Sequence, residues 1–327
     1  MSYKFKVVIT DHRFADVDIQ RRVLSEIGAE LVEGQARTDD EIIAIARDAD
    51  GILNARSKIS ARAIEALERC KVMVRYGVGV DTIDIPAATR KGIMVSNVVD
   101  YCVDEVADHA FALLLALARK VVFSARRVQS GEWSINNLKP LKRLAGQTVG
   151  VVGFGRIGLA LGRKAAAVGF RVLAFDPFVA KEGEERDGFK FVSLEQLLKA
   201  SDFVSLHTPL TAETEKMIGR EQIELMKPTA YLINTSRGPL IDEAALVAAL
   251  NENRLAGAGL DVLIEEPAQP DHPLLKMEQV VVTSHTAFYS EEALEELQRK
   301  AAQKVADALT GKTPDPLVNP EVLIKRV

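Results

Sequence analysis

Short apolar runs alternate with longer segments of helical periodicity along the chain, an alternation typical of parallel α/β units. In the first hundred residues the predicted strands are FKVVIT, AELVEG, GILNA, VMVRYG and IMVSN, with helical patterns such as ADVDIQRRVLSEIG and DDEIIAIARDA between them. A second series of predicted strands comprises TVGVVGFG, RVLAFD, DFVSLHT, AYLINTS, AGAGLDV and VVVTSH. The pattern predicts an α/β fold of two Rossmann-like or flavodoxin-like domains, each with a parallel sheet.

Ordered helices are predicted to connect the two domains, because the middle of the chain has no linker rich in Gly, Ser or Pro. One helix is predicted from Val103 to about Phe123, followed by an irregular arm around GEWSINNLKP, and EEALEELQRKAAQKVADALTG is predicted as one amphipathic helix. The predicted first domain comprises residues 1–101 and 289–327. The predicted second domain, residues 102–288, is inserted into it, and we expect a cleft where the two meet.

Composition narrows the classes of function. The length of 327 residues suits two domains, and a net charge of −4 disfavours nucleic acid or an anionic membrane as partner. The apolar stretch AFALLLALA is too short to span a membrane, and MSYKFKVVIT is predicted as a first strand instead of a signal peptide. Cys70 and Cys102 are the only cysteines and lack metal-ligand spacing, so we expect a cytoplasmic protein without a metal site.

The segment GFGRIG, residues 153–158, fits the dinucleotide fingerprint, with a predicted strand before it and a helix after it. Glycine permits the tight turn, the approach of a pyrophosphate and close packing of helix on strand. The next strand ends on Asp176, which would accept hydrogen bonds from the adenosine ribose and repel a 2′-phosphate. These features predict NAD(H) in preference to NADP(H); the alternative is a Gly-rich turn in an ordinary sheet. The predicted cofactor-binding residues are Gly153, Phe154, Gly155, Arg156, Ile157, Gly158 and Asp176.

Reactive side chains follow three neighbouring strands of the second series, where parallel sheets bind ligands. NTSRGPL presents Arg237, GLDVLIEEP presents Asp261 and Glu266, and VVTSHTAF presents His285. Singly, these could be a surface ion pair, a solvated loop residue and a packed core histidine. Together they match hydride transfer to a 2-oxo acid, in which Arg237 binds the substrate carboxylate, His285 donates the proton and Glu266 stabilises the protonated imidazole.

These residues resemble the D-isomer-specific 2-hydroxyacid dehydrogenase family, which includes phosphoglycerate dehydrogenase, glyoxylate reductase and the C-terminal binding proteins. The resemblance extends over RYGVGVDTIDIPAATRKGI, GFGRIG, NTSRGPLIDEAAL, DVLIEEP and SHTAFYS. It implies that Arg237, Glu266 and His285 are the catalytic residues, and that backbone N–H groups near Val78 and Gly79 hold the substrate carboxylate. It also implies that the two ends of NAD are lined by Thr208, Pro209, Thr235 and Asp261.

The resemblance further implies a homodimer built through the NAD-binding domain, with VADHAFALLLALARKVV and the arm around Trp133 in the contact. Many family members have Pro where this chain has Ser284, and we expect little effect on the chemistry. SHTAFYS is closest to the C-terminal binding protein branch, which has Trp at the position of Phe288. The predicted substrate pocket is formed by Arg56, Arg75, Tyr76 and Phe288, and it could favour a phosphate, a thioether or an aromatic group.

Two alternatives to a general D-2-hydroxyacid dehydrogenase stay open. One is D-3-phosphoglycerate dehydrogenase specifically, and the other is an NAD(H)-sensing interaction protein like the C-terminal binding proteins. Formate or phosphite oxidation fits less well, because Glu266 and Tyr76 stand where the relatives with those activities have Gln and Lys.

Four minor features receive predictions of their own. His12 is expected in a solvated loop, His109 in helix packing or a dimer contact, and His207 near the cofactor without a role. The run EGEERDG, residues 182–188, is expected to be a charged surface loop.

Overall fold

The computed structural model describes residues 3–326, which separate into two compact units. Unit 1 runs as far as Cys102 and resumes at Ser290, whereas unit 2 is Val103–Tyr289. The chain therefore leaves unit 1, builds unit 2 and returns.

Unit 1 contains, within the described residues, one parallel five-stranded sheet with helices between the strands. Its strands are β1 (Phe5–Ile9), β2 (Ala29–Glu33), β3 (Gly51–Asn54), β4 (Val72–Arg75) and β5 (Met94–Asn97). Its helices are α1 (Asp18–Ser25), α2 (Asp39–Ala46), α3 (Ala61–Glu65), α4 (Ile85–Arg90) and the carboxy-terminal α12 (Glu291–Leu309). The strand order β2-β1-β3-β4-β5 is the flavodoxin-like arrangement.

Unit 2 contains an eight-stranded sheet that is parallel except for one short edge strand, counted over the described part of the chain. Its strands are β6 (Thr148–Val152), β7 (Arg171–Phe175), β8 (Glu185–Arg186), β9 (Phe189–Phe191), β10 (Phe203–Leu206), β11 (Tyr231–Asn234), β12 (Gly257–Leu260) and β13 (Val280–Val282). Its helices are α5 (Val103–Ala118), α6 (Val121–Gln129), α7 (Arg156–Ala167), α8 (Leu194–Ala200), α9 (Arg220–Leu225), α10 (Glu243–Asn251) and α11 (Pro273–Lys276).

The order β13-β12-β11-β10-β6-β7-β9-β8 places the first strand, β6, between β7 and β10. Chain direction across the sheet reverses at that point, as in the Rossmann fold, and ligands bind beside the carboxyl ends of the strands there. The two topologies confirm the predicted α/β class. Three-residue 3-10 turns at Asn136–Leu138 and Gly238–Leu240, and a longer one at Pro320–Arg326, complete the regular structure.

Burial explains why the strands appear in the sequence as continuous apolar runs. Val7, Val8 and Ile9 of β1 are fully buried, and β10 and β12 are buried at every position. A parallel strand covered by helices on both faces has no solvent side and therefore no polar alternation.

The predicted single helix from Val103 to about Phe123 is wrong, because α5 ends at Ala118 and α6 begins at Val121. Lys120 between them has a φ of +51°, in the left-handed region that a continuing helix excludes. Arg119 and Lys120 stand at the break, but one continuous helix could carry both charges on its exposed face, so they do not mark the turn by themselves.

The prediction of a charged loop over EGEERDG is also wrong in part. Glu185 and Arg186 form β8, which pairs antiparallel with β9. Asp187 and Gly188 between them have φ values of +53° and +83°, the conformation of a two-residue hairpin turn. The Asp-Gly dipeptide before an apolar FKF was the signal for this hairpin.

Among the helices of residues 3–326, none combines the length and the apolar character that crossing a membrane requires.

Candidate active site

The fingerprint loop connects β6 to α7 at the point where the sheet reverses, and two of its glycines are required by packing. Gly153 has a φ of +87°, and a Cβ there would lie 2.6 Å from the carbonyl carbon of His207. A Cβ at Gly158 would lie 2.1 Å from the Gly153 oxygen. At Gly155, by contrast, a Cβ would meet nothing within 4 Å, so the backbone there borders open space. The loop is thus closed towards the sheet and open on the side where a pyrophosphate would bind.

Asp176 follows β7 and holds this loop through its carboxylate. Its Oδ2 accepts a hydrogen bond from the Phe154 N–H at 2.9 Å, and its Oδ1 accepts one from the Phe178 N–H at 3.0 Å. Arg156 is the first residue of α7, and Ile157 packs partly buried against the core. The carboxylate lies beside the fingerprint, as binding of an adenosine ribose requires.

The other predicted cofactor residues lie at the ends of β10 and β11. Thr208 donates its hydroxyl to the Met217 sulfur at 3.5 Å, and the Pro209 carbonyl accepts from Thr214 at 2.7 Å. Thr235 is 8% exposed, and within residues 3–326 its buried hydroxyl has no hydrogen-bond partner. Because buried polar groups are normally paired, this hydroxyl fits a site that a ligand completes. The residues present therefore fit NAD.

His285 and Glu266 form the shortest polar contact among the predicted catalytic residues. Nδ1 of His285 lies 2.6 Å from Oε2 of Glu266, and about a quarter of each side chain is exposed. Oε1 of the same carboxylate accepts from the Leu263 N–H at 3.2 Å. A carboxylate on Nδ1 fixes the orientation of the ring and leaves Nε2 for chemistry. Phe288 lies edge-on to the His285 ring, with 6.3 Å between ring centroids.

Asp261 builds the turn that carries His285. The turn is unusual because His285 has a φ of +57°, a conformation that costs a non-glycine residue about 1 kcal/mol or more. The Asp261 carboxylate is 1% exposed and accepts from the Thr286 and Ala287 N–H groups at 3.0 and 2.9 Å. Its backbone oxygen accepts from the His285 N–H at 2.8 Å. The predicted cofactor residue Asp261 is thus an anchor of the His285 turn.

Arg237 lies in the loop after β11, packed against the loop that bears Glu266. A Cβ at Gly238 would lie 2.1 Å from the carbonyl carbon of Leu263, so only glycine permits this approach of the two backbones. Asn234 donates to the Arg237 carbonyl at 2.7 Å, and Nη1 of Arg237 donates to the Ser236 carbonyl at 2.7 Å. Unit 2 therefore brings Arg237, Glu266 and His285 to neighbouring loops at one end of its sheet.

Unit 1 holds the predicted substrate-binding residues at the carboxyl ends of β3 and β4. Asp11 accepts the N–H groups of Ala55, Arg56 and Ser57 at 3.1, 2.7 and 3.2 Å and so shapes the loop of Arg56. The Arg75 guanidinium lies over Gly77, where a Cβ would meet Nη1 at 1.7 Å.

The loop after Gly77 exposes backbone, as a carboxylate-binding segment requires. Val78 is 38% exposed, and its carbonyl accepts a hydrogen bond from the Asn97 side-chain amide at 2.5 Å. Tyr76 is only 4% exposed, and its hydroxyl accepts a hydrogen bond from Gln20 at 3.2 Å. Burial also raises the pKa of Tyr76. Its hydroxyl is thus held by a hydrogen bond within unit 1.

Of His12, His109 and His207, only His12 differs from its prediction. His12 is buried, with Nε2 2.8 Å from Oε1 of Glu33, so it is not in a solvated loop. His109 pairs within unit 2, with Nε2 2.9 Å from the Thr283 hydroxyl. The ring of His207 is buried beside Ser205, and burial lowers its pKa from 6.5 to about 4. The pairings of His12 and His109 join residues far apart in the chain and so leave no spacing signal in the sequence. Ser205 and His207 are two residues apart, a spacing too common in strands to indicate a contact. In the described residues no cluster of His, Cys, Asp or Glu has the composition of a metal site.

The amino-acid sequence is similar to a family of known dehydrogenases. Residues 111–287 match the family model described as D-isomer specific 2-hydroxyacid dehydrogenase, NAD binding domain. The chain is 43% identical over 287 residues to a glyoxylate reductase of Korarchaeum cryptofilum, covering 86% of each chain. It is 38% identical over 316 residues to a D-3-phosphoglycerate dehydrogenase of Methanocaldococcus jannaschii, covering 96% of this chain and 59% of that protein.

Solved structures give the same result. D-lactate dehydrogenase from Aquifex aeolicus, complexed with NAD and lactic acid, matches with a TM-score of 0.83 and 29% identity, covering 98% of each chain. Two other solved structures with TM-scores of 0.87 and 0.84 are complexes with NADPH or NADP, so both forms of the cofactor occur among similar folds.

Proposed function

Because the chain belongs to the D-isomer-specific 2-hydroxyacid dehydrogenase family, we propose that His285, Glu266 and Arg237 carry out its reaction. The family acts on the CH–OH group of 2-hydroxy acids with a nicotinamide cofactor, so the predicted activity class is confirmed. The observation that carries the proposal is the 2.6 Å contact between His285 Nδ1 and Glu266 Oε2.

In the direction of reduction, His285 supplies the proton. NAD, when bound in reduced form, supplies the hydride that goes to C2 of the 2-oxo acid. Nδ1–H of His285 is held by Glu266, so Nε2–H points to the substrate and donates its proton to the carbonyl oxygen. The hydroxyl forms, and the imidazole is left neutral. Glu266 stabilises the protonated ring before this transfer and so keeps the proton donor loaded.

Arg237 binds the substrate carboxylate. A guanidinium matches a carboxylate with two parallel hydrogen bonds and draws charge towards the adjoining carbonyl. Within unit 1, the N–H groups near Val78 and Gly79 correspond to the segment that holds the substrate carboxylate in the family. Arg56, Arg75 and Phe288 set the preference for the substrate side chain, two through positive charge and one through an aromatic surface.

Asp176 selects NAD over NADP. Its two carboxylate oxygens already anchor the fingerprint loop and so stay beside the ribose position. A 2′-phosphate would bring negative charge against this carboxylate, and FDPFVA offers no arginine to offset it. NADH is therefore the expected cofactor of reduction.

The protein is proposed to be a homodimer in the cytoplasm. Trp133 and Ile135 of the arm are 88% and 70% exposed, and a second copy would cover these apolar side chains. Cys70 and Cys102 are both thiols, which suits a reducing compartment.

Oxidation of NADH, followed by its absorbance, tests the proposed function. The substrates are glyoxylate, hydroxypyruvate, phosphohydroxypyruvate, phenylpyruvate and 4-methylthio-2-oxobutyrate, each also tried with NADPH. We expect turnover with NADH, and the best acid identifies the side chain that Arg56, Arg75 and Phe288 select. A preference for phosphohydroxypyruvate would specify a phosphoglycerate dehydrogenase. Tight NADH binding without turnover of any acid would contradict the proposal and favour an NAD(H)-sensing protein.

A further inference from the structure

His109 lies on α5, outside the predicted site, yet its ring reaches the strand end that precedes His285. Its side chain is 26% exposed, and Nε2 lies 2.9 Å from the Thr283 hydroxyl and 3.5 Å from Oδ1 of Asp261. The Thr283 hydroxyl is in turn 2.5 Å from the same Oδ1. The three side chains form a continuous polar chain from α5 to the anchor of the His285 turn.

The available protons decide which group donates in each of these hydrogen bonds. A carboxylate only accepts hydrogen bonds, so the single hydroxyl proton of Thr283 goes to Asp261. The Thr283 oxygen must then accept from His109, which requires a proton on Nε2 of that ring. His109 therefore donates a hydrogen bond to the Thr283 hydroxyl, and the Thr283 hydroxyl donates one to the Asp261 carboxylate.

The receiving carboxylate has little freedom. Asp261 is 1% exposed, and its two oxygens also accept the N–H groups of Thr286 and Ala287, the two residues that follow His285. A rotation of this carboxylate would release the turn that keeps His285 at a φ of +57°. Thr283 opposes such a rotation because its hydroxyl donates to Oδ1 of Asp261. His109 opposes it indirectly, because its ring holds the Thr283 hydroxyl in place.

We propose that His109 is a positioning residue for proton transfer: acting through Thr283, it fixes Asp261 and thereby the turn that presents the His285 imidazole. The proposal rests on the proposed role of His285. It assigns His109 no contact with substrate, because the ring ends on Thr283 and Asp261.

The test compares His109→Leu, His109→Gln and Thr283→Val with Asp108→Leu, a control at the adjacent position of α5 whose side chain pairs with Lys164 instead. We expect His109→Leu to lower kcat about tenfold, with the Kd of NADH and the Tm close to wild type. His109→Gln keeps an N–H donor and should restore most of the rate. Asp108→Leu should leave kcat unchanged.

A double-mutant cycle shows whether the effect passes through Thr283. If it does, His109→Leu combined with Thr283→Val is no slower than Thr283→Val alone. Additive losses, or failure of His109→Gln to restore the rate, would overturn the proposal and leave His109 a packing residue.

Hydrogen–deuterium exchange separates this proposal from the proposed function. His109→Leu should speed exchange of the Thr286 and Ala287 amides in the protein without substrate, whereas Asp108→Leu should not. Unchanged exchange would overturn the positioning role. A wild type that reduces no acid would defeat the proposed function, and exchange would then decide the role of His109 in holding the turn by itself.

Discussion

A single hydrogen bond assigns the two nitrogens of His285 to different tasks. Glu266 holds Nδ1, so the imidazole can exchange a proton with substrate only through Nε2. At this scale the sequence predicted that a carboxylate, Glu266, would contact His285, because each residue follows a recognisable apolar strand. It could not predict the supporting contacts of Asp261, Thr283 and His109, since bonds between distant segments leave no periodicity or spacing.

Replacing Glu266 with Gln should lower kcat about a hundredfold and move the basic limb of the pH–rate profile for reduction to lower pH. The sign follows from the missing charge: without the carboxylate, the protonated form of His285 is less stable, so the proton donor is lost earlier as pH rises. Steady-state rates between pH 5 and 10 provide the measurement. A Gln variant with the wild-type profile would remove Glu266 from this role.

His207 should make the protein less stable in acid. Burial lowers the pKa of His207 to about 4, below the 6.5 of the exposed side chain, so the unfolded chain binds a proton more readily. Stability is therefore lost as pH falls from about 6.5 towards 4, by roughly 1–2 kcal/mol between pH 7 and pH 5. Urea unfolding of wild type and His207→Asn at both pH values tests this. Equal pH dependence in the two proteins would contradict it.

Helices and strands could be predicted where their residues are uniformly buried, because uniform burial leaves a clear apolar pattern in the sequence. The buried parts of β1 and β10 stand out in the sequence as apolar runs. The fingerprint follows another apolar strand, β6. The break between α5 and α6 was not predictable, because the left-handed torsion at Lys120 falls on charged residues that the exposed face of one continuous helix would also accept. The β8–β9 hairpin was not predicted, because the charged residues of EGEERDG are typical of a surface loop despite the Asp-Gly turn.

Two glycine variants separate the structural and binding demands on the loop between β6 and α7. Gly153→Ala should lower the Tm by several degrees and weaken NADH binding, because its Cβ meets the His207 backbone at a positive φ. Gly155→Ala borders open space, so it should weaken NADH binding about tenfold while leaving the Tm near wild type. Thermal melts and NADH fluorescence titrations give both quantities. Equal Tm losses in the two variants would contradict the description of this loop.

For the whole molecule, the topology of each unit was predictable because alternating strands and helices leave few ways to wind a parallel sheet. Assembly was predicted from family resemblance, and the exposed arm gives it a physical reason. Light scattering should report a mass near twice the 35.7 kDa of one chain. Replacing both Trp133 and Ile135 with Asp should shift the mass towards one chain, and a monomeric wild type would contradict the dimer.

The most direct experiment is a single-turnover measurement of NADH oxidation by glyoxylate in wild type and in His285→Ala, with the Kd of NADH determined for both. We expect the variant to bind NADH as wild type does and to oxidise it at least a hundredfold more slowly, because only the proton donor is missing. A His285→Ala protein that binds NADH normally and reduces glyoxylate at the wild-type rate would show that the proton comes from elsewhere.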